Sequence, residues 1–180
     1  MPDEISFARL TAADFPLLHR WLNNAEVARF YGVGDENRKN PTLEEVIAEY
    51  EPRLKPGAAT RSFITRLDGR KVGYIQCYRV GDYADYEKAI DLGAEAWAID
   101  LFIGEDARGY GLGVRVIERF LAEQVFSRPG VTTCLLCPEP ENERGIRAYE
   151  KAGFRHVKTV WVAEEKAYAY VMRRDRDQEA

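Results

Sequence analysis

Arg108-Gly109-Tyr110-Gly111-Leu112-Gly113 joins two patterns of different period. Before it, Trp97 to Ile103 is an apolar run of strand length. Behind it, Val116, Ile117, Phe120, Leu121 and Val125 recur at the spacing of one buried helix face. A strand, a glycine-rich turn and a helix bring free backbone N–H groups and the positive end of a helix to one point, and such a point binds phosphate. Gly109, Gly111 and Gly113 let the backbone approach a diphosphate with no Cβ in the way, and Arg108 adds a fixed positive charge. Two other phosphate loops are excluded. A P-loop ends in Gly-Lys-Ser/Thr, whereas Gly113 is followed by Val114 and Arg115. The dinucleotide fingerprint needs a small residue where Val116 stands.

The chain has 180 residues, enough for one domain with a sizeable core, residues 1–180, of which about 173–180 read as a frayed charged tail. Its formal net charge of -4 gives no reason to expect nucleic acid and favours cationic or neutral partners. No apolar run approaches membrane-spanning length, and Met1-Pro2-Asp3-Glu4 has no signal-peptide pattern. Three cysteines, Cys77, Cys134 and Cys137, are an odd and sparse set that fits a reducing cytoplasm. Cys134 and Cys137 have C-x-x-C spacing, but there is no second pair, and residues three apart on a strand point to opposite faces. They read as core thiols, with no metal site.

In chain order, Ile5 to Leu10 reads as a strand. Thr11 to Asp14 and Thr42 to Glu45 read as capping boxes opening helices. Phe15, Leu18 and Leu22 share a face of the first helix, and Leu43, Val46, Ile47 and Tyr50 a face of the second. Asp68-Gly69 predicts a hairpin turn between Ser62–Leu67 and Lys71–Val80. Residues 81–93 read as a polar loop. Val131 to Cys137 predicts a strand, Asn142 the cap of a short helix that Gly153 closes, and 154–162 with 168–172 a final hairpin. This order implies an α/β (α+β) fold with a mixed, mostly antiparallel central sheet and helices on both faces.

The order R-x-x-G-x-G in this context resembles the acetyl-CoA loop of the GCN5-related N-acetyltransferases (GNAT). Asn142 to Phe154, with Tyr149-Glu-Lys-Ala-Gly-Phe154 at its end, is similar to the stretch after the fifth strand of that family, with Ile146 where the family has alanine. Trp21-Leu22-Asn23, Pro41-Thr42-Leu43, Gly73 to Tyr78, Ile99-Asp100-Leu101-Phe102 and Arg147 to Phe154 resemble, within it, the aminoglycoside 6'-N-acetyltransferases. The likeness spans nearly the whole chain. It implies a GNAT-like fold, acetyl-CoA as co-substrate and a polycationic amine, an aminoglycoside, as acceptor. Rival acceptors are a siderophore precursor, a polyamine or a protein N-terminus. A catalytically silent acyl-CoA-binding sensor domain is the rival of another class. The oligomeric state is not legible.

Acetyl transfer to an amine requires that the thioester be held, the amine lose its proton and the leaving thiolate be met by a proton or a hydrogen bond. The resemblance gives the pantetheine arm to the backbone of Leu101, Phe102 and Ile103, and the diphosphate to Arg108, Gly109, Tyr110, Gly111, Leu112 and Gly113. Asn142 joins this cofactor-binding set. Asp100 interrupts an apolar strand. Read from the residues alone, it is either a partly desolvated base or an exposed or ion-paired strand position, and the resemblance makes it the base or anchor for the acceptor amine. The resemblance likewise gives Tyr149 the thioester sulfur. An acidic pocket suits a polycation, and its candidates are Asp82, Asp85 and Asp91 with Glu139 and Glu141. Gln76 and Tyr78, with Phe30 and Tyr31, match positions lining the acceptor pocket. One departure concerns an acceptor amine: Cys137 precedes Pro138 where the resembling enzymes carry an aspartate.

Overall fold

A computed structural model describes residues 3–33, 37–109 and 111–177. Seven strands form a sheet in the order β1-β2-β3-β4-β5-β7-β6. They are β1 Ile5–Arg9, β2 Thr60–Leu67, β3 Arg70–Arg79, β4 Trp97–Ile103, β5 Thr133–Leu136, β6 Arg155–Val162 and β7 Ala167–Asp175. The helices are α1 Phe15–Leu22, α2 Ala25–Ala28, α3 Leu43–Tyr50, α4 Ala84–Ile90, α5 Leu112–Phe120 and α6 Glu143–Lys151. Pairing is antiparallel for β1–β2, β5–β7 and β6–β7 and parallel for β4–β5. The sheet is therefore mixed, as expected. No helix among the described residues is long and apolar enough to cross a membrane.

By its contacts the chain divides into two compact units, residues 1–76 with 101–112, and residues 77–100 with 113–180. In the first, the capping box at Thr11 forms on a 3-10 turn, where the Asp14 carboxylate accepts from the Thr11 N–H at 2.9 Å. Lys71 donates to its other oxygen at 2.6 Å. Burial opposes ionisation of Asp14, but the hydrogen bonds from Lys71 and Thr11 outweigh it and hold the carboxyl below its ordinary value. Thr42 and Glu45 cap α3 reciprocally. Phe15, Leu18, Trp21, Leu22, Val46 and Tyr50 are buried with Tyr74 and Phe102, whereas Leu43 is exposed and does not share the buried face. The turn at Asp68-Gly69 has both residues at positive φ, 49° and 78°, as a two-residue hairpin requires. A Cβ on Gly73 would lie 2.5 Å from the Phe102 carbonyl oxygen, so β3 accepts no side chain there.

In the second unit Val116, Ile117, Phe120, Leu121 and Val125 are all buried. The α-helix gives way at Leu121–Val125 to a π-helical turn. A second core gathers Val80, Ile90, Ala98, Leu135, Val162 and Val171. Two expectations are corrected here. Residues 81–93 are not a loop, because α4 runs through them and buries Ile90. The charged tail begins later than expected, since Arg173 and Asp175 belong to β7 and pair with Leu135 and Thr133 of β5. Thr133 donates to the Asp175 carboxylate at 2.8 Å, which holds that end in place.

Candidate active site

The glycine loop leaves β4 through Gly104, whose missing Cβ makes room for the Trp21 indole; a Cβ would stand 2.4 Å from Nε1. Gly109 and Gly111 have φ of 106° and 70°, a region closed to most side chains. A Cβ built on Gly109, Gly111 or Gly113 meets nothing within 4 Å. Gly109 and Gly111 thus meet a backbone need, all three glycines leave open space above the chain, as a diphosphate cradle needs, and the residues fit acetyl-CoA in this respect. Helix α5 starts at Leu112, whose N–H donates to the Gly109 carbonyl at 3.2 Å. Tyr110, also expected to bind the cofactor, lies outside the described residues. Arg108 forms an ion pair with Glu26 and donates to the Ile103 carbonyl at 3.3 Å. Its charge therefore has a carboxylate partner on α2.

Leu101 and Ile103 are half-buried, and the Phe102 ring is core, 4.9 Å from Tyr31 and stacked on Tyr74 at 5.6 Å. Only the backbone of Phe102 is left for the expected role. Phe30 is half-buried under the Arg29 guanidinium. Gln76 is buried, and its carbonyl oxygen accepts from Tyr74 at 2.6 Å and from Arg53. Arg53 also pairs with Glu49. Burial opposes its charge, but the surrounding tyrosine oxygens and Glu49 keep it firmly protonated. Sequence reasoning missed Arg53: it falls between Pro52 and Leu54 in a segment read only as a helix end, and its partners come from α3 and β3.

In the second unit the field of one carboxylate, Asp100, reaches a ring of weak acids. Tyr149, half-buried on α6, is raised above the ordinary tyrosine value by burial first and by Asp100 second. Burial, and then Asp100, likewise raises Tyr78, and burial, then Cys137 and Tyr78, raises Tyr86, with Asp100 adding to it. Burial pushes the Cys137 thiol up to about 12, with Asp100 and Glu165 adding to it. All four are protonated near neutral pH. Glu165 lies on the turn between β6 and β7, exposed as a residue, and its carboxyl is pushed up to about 7 by partial loss of surrounding water, then by Asp100, Glu139 and Glu164. Asp100, Glu139 and Glu164 thus form with Glu165 an acidic group that disfavours the Glu165 charge, and a bound cation relieves this.

Of the expected acidic residues, the structure brings Glu139 to this group. Asp82 is exposed and 3.8 Å from Arg79, and Asp85 is exposed on the first turn of α4. Glu141 and Asp91 are exposed, and the Asp91 carbonyl accepts from Lys158. Glu164 and Glu165 were missed; two adjacent carboxylates at the turn of the final hairpin were the available signal. Cys137 is not a plain core thiol. Cys77 and Cys134 are buried, but Cys137 is half-buried and packs, like Tyr86, against the second core. Asn142 caps α6, its side chain accepting from the Gly145 N–H at 3.0 Å. Among the described residues no group of three or more His, Cys, Asp and Glu side chains is placed to hold a metal ion.

A sheet of this order, with a glycine cradle after β4 and a tyrosine-bearing helix after β5, defines an acyl-CoA-dependent acetyltransferase. The chain belongs to the acetyltransferase (GNAT) domain family, which matches residues 11–162. It is 34% identical over 161 residues to the aminoglycoside N(6')-acetyltransferase type 1 of Klebsiella pneumoniae, across 88% of this chain and 77% of that protein. It is similar to the structure of AAC(6')-Ib in complex with ribostamycin and coenzyme A, with a TM-score of 0.83 and 30% identity over 97% of this chain and 94% of that one. Spermidine N-acetyltransferase from Vibrio cholerae shares the fold alone, at a TM-score of 0.71 and 15% identity over 95% of each chain.

Proposed function

We propose that this protein transfers an acetyl group from acetyl-CoA to the 6'-amino group of an aminoglycoside, and so confers resistance to such antibiotics. The observation that carries this reading is the acidic group around Asp100, with protonated tyrosines beside it. It gives a polycation several carboxylates and gives a leaving thiolate a hydroxyl proton. Identity to the Klebsiella enzyme across most of the chain supports the same acceptor class. Acetyl-CoA, when bound, supplies an acyl group activated as a thioester. The chain's own residues do the rest. The backbone of Gly109, Gly111 and Gly113 holds the diphosphate, with Arg108 beside it. The main chain of Leu101 to Ile103 takes the pantetheine arm as an added strand, and Asn142 fixes the start of α6. Asp100 anchors the acceptor ammonium and takes its proton. Burial and the Asp100 charge both keep the Tyr149 hydroxyl protonated, and its O–H is the donor offered to the leaving thiolate. Glu139, Glu164 and Glu165 hold the remaining ammonium groups.

The test is thiol release from acetyl-CoA against kanamycin-type sugars, spermidine and short peptides. Turnover confined to the sugars is expected. Turnover confined to spermidine or peptides contradicts the reading.

A further inference from the structure

The end of α6, the start of β6 and the end of β7 frame a cavity of about 380 Å³ to which no step above is assigned. Four cations line it: Lys151 from the last turn of α6, Arg155 from β6, and Arg173 and Arg174 from β7. None of its lining residues belongs to the glycine loop or to the acidic group around Asp100. In a chain of net charge -4 such a gathering runs against the overall balance. Arg155 stands directly opposite Arg173 in the β6–β7 register, and like charges so placed repel.

The carboxylates of the same wall do not cancel these charges. Asp175 accepts from Arg173 at 2.8 Å and from the Thr133 hydroxyl at 2.8 Å, so it is already engaged. Asp177 is 94% exposed and lies 3.8 Å from Arg174. Glu118 of α5 is exposed and, like Lys151 and Arg155, makes no hydrogen bond or ion pair with another described residue. Arg174 is fixed, because its Nη1 donates to the Ala152 carbonyl at 2.6 Å and its stem runs along Gly153, where an added Cβ would lie 3.4 Å from Cδ. The C-terminal end of a helix is negative and opposes an anion, but the last carbonyls of α6 are occupied. Those of Tyr149 and Glu150 accept from the Phe154 and Gly153 N–H groups at 3.0 Å, and that of Ala152 from Arg174. Two cations without a partner among the described residues, Lys151 and Arg155, therefore share a cavity with two arginines held in place. Guanidinium and ammonium groups in such a set recognise oxyanions. The volume exceeds what a lone ion fills and reaches the range of small-molecule sites. We infer that this cavity is a binding site for a small oxyanion carrying two or more negative charges, of the phosphate or polycarboxylate class.

Calorimetry at fixed ionic strength tests this on the full chain saturated with coenzyme A, so that the glycine loop is filled. The probes are pyrophosphate and citrate, with chloride as control. At least one probe is expected to bind better than chloride, and the tighter of the two fixes the class. Lys151→Gln combined with Arg155→Gln should weaken that binding at least about tenfold, since both lost contacts join charged partners. Gly111→Val should leave it unchanged. Loss in Gly111→Val with none in the double variant puts the anion on the glycine loop and overturns the inference. Probes that bind no better than chloride overturn it too. Without a probe, the double variant should melt no lower than wild type, because it removes the repulsion between Arg155 and Arg173. A lower melting temperature would make the two cations structural and would also overturn it.

Discussion

At the scale of single residues, the account rests on Asp100. Asp100→Asn keeps shape and hydrogen-bonding capacity but removes the base. Turnover should fall about 10²–10⁴-fold, the usual reach of one general base, and recover in part at high pH, where the amine deprotonates unaided. Acetyl-CoA affinity should not change. Wild-type turnover in Asp100→Asn at neutral pH would remove Asp100 from the reaction. Glu165 gives a second prediction. Its carboxyl stands at about 7 against an ordinary 4.5, so between these values the native state holds a proton that the unfolded chain has lost. Its contribution to stability therefore falls as pH rises through that window. A bound ammonium favours the ionised form, so acceptor binding just below neutral pH should release a proton from the protein. Calorimetry in buffers of different ionisation heat measures this, and Glu165→Gln should abolish that release. Asp100 was legible from its interruption of an apolar strand, together with the family likeness. Cys137 was legible only as a departure from the family pattern, and Glu165 and Arg53 were not, because their partners are distant in sequence and no local pattern brings residue 53 to residue 76 or residue 165 to residue 139.

At the scale of elements, the strand-loop-helix unit at Trp97–Phe120 was read correctly because its apolar periods and glycines are local signals. Helix α4 was missed for the opposite reason. It fully buries Ile90 alone, carries Asp85, Glu87 and Lys88 among its seven residues, and has Tyr83 at its N-cap, which offers no side-chain cap. The end of β7 was missed because Arg173 and Arg174 look like a solvated tail until the Thr133 hydroxyl and the Ala152 carbonyl accept from them. In the glycine loop, Gly111 has φ of 70° with open space above it. Gly111→Val should cost about 1–3 kcal/mol in backbone strain and weaken acetyl-CoA binding at least tenfold, on the order of 1.4 kcal/mol. Calorimetry with a circular-dichroism check of the fold tests it, and unchanged affinity in a folded variant would move the cofactor elsewhere. The Arg108–Glu26 pair makes a prediction of opposite sign. Glu26 competes with an incoming phosphate for the guanidinium, so Glu26→Gln should tighten coenzyme A binding about 2–5-fold, the range of an exposed ion pair. Weaker binding would show instead that Glu26 positions Arg108.

At the scale of the whole molecule, the net charge of -4 is modest. Attraction of a polycation therefore depends on where the carboxylates gather, and four of them act together on one small region. The class of reaction follows from the family and from the glycine loop. The acceptor follows from the acidic group and the relatives. The most direct test of the central claim uses two aminoglycosides identical except for an amine or a hydroxyl at the 6' carbon. Thiol release from acetyl-CoA is followed for both, and the acetylated position is read by NMR. The account predicts turnover of the 6'-amine alone, with the acetyl group on that nitrogen. Equal turnover of the 6'-hydroxyl compound, or acetylation at any other amine, would contradict it.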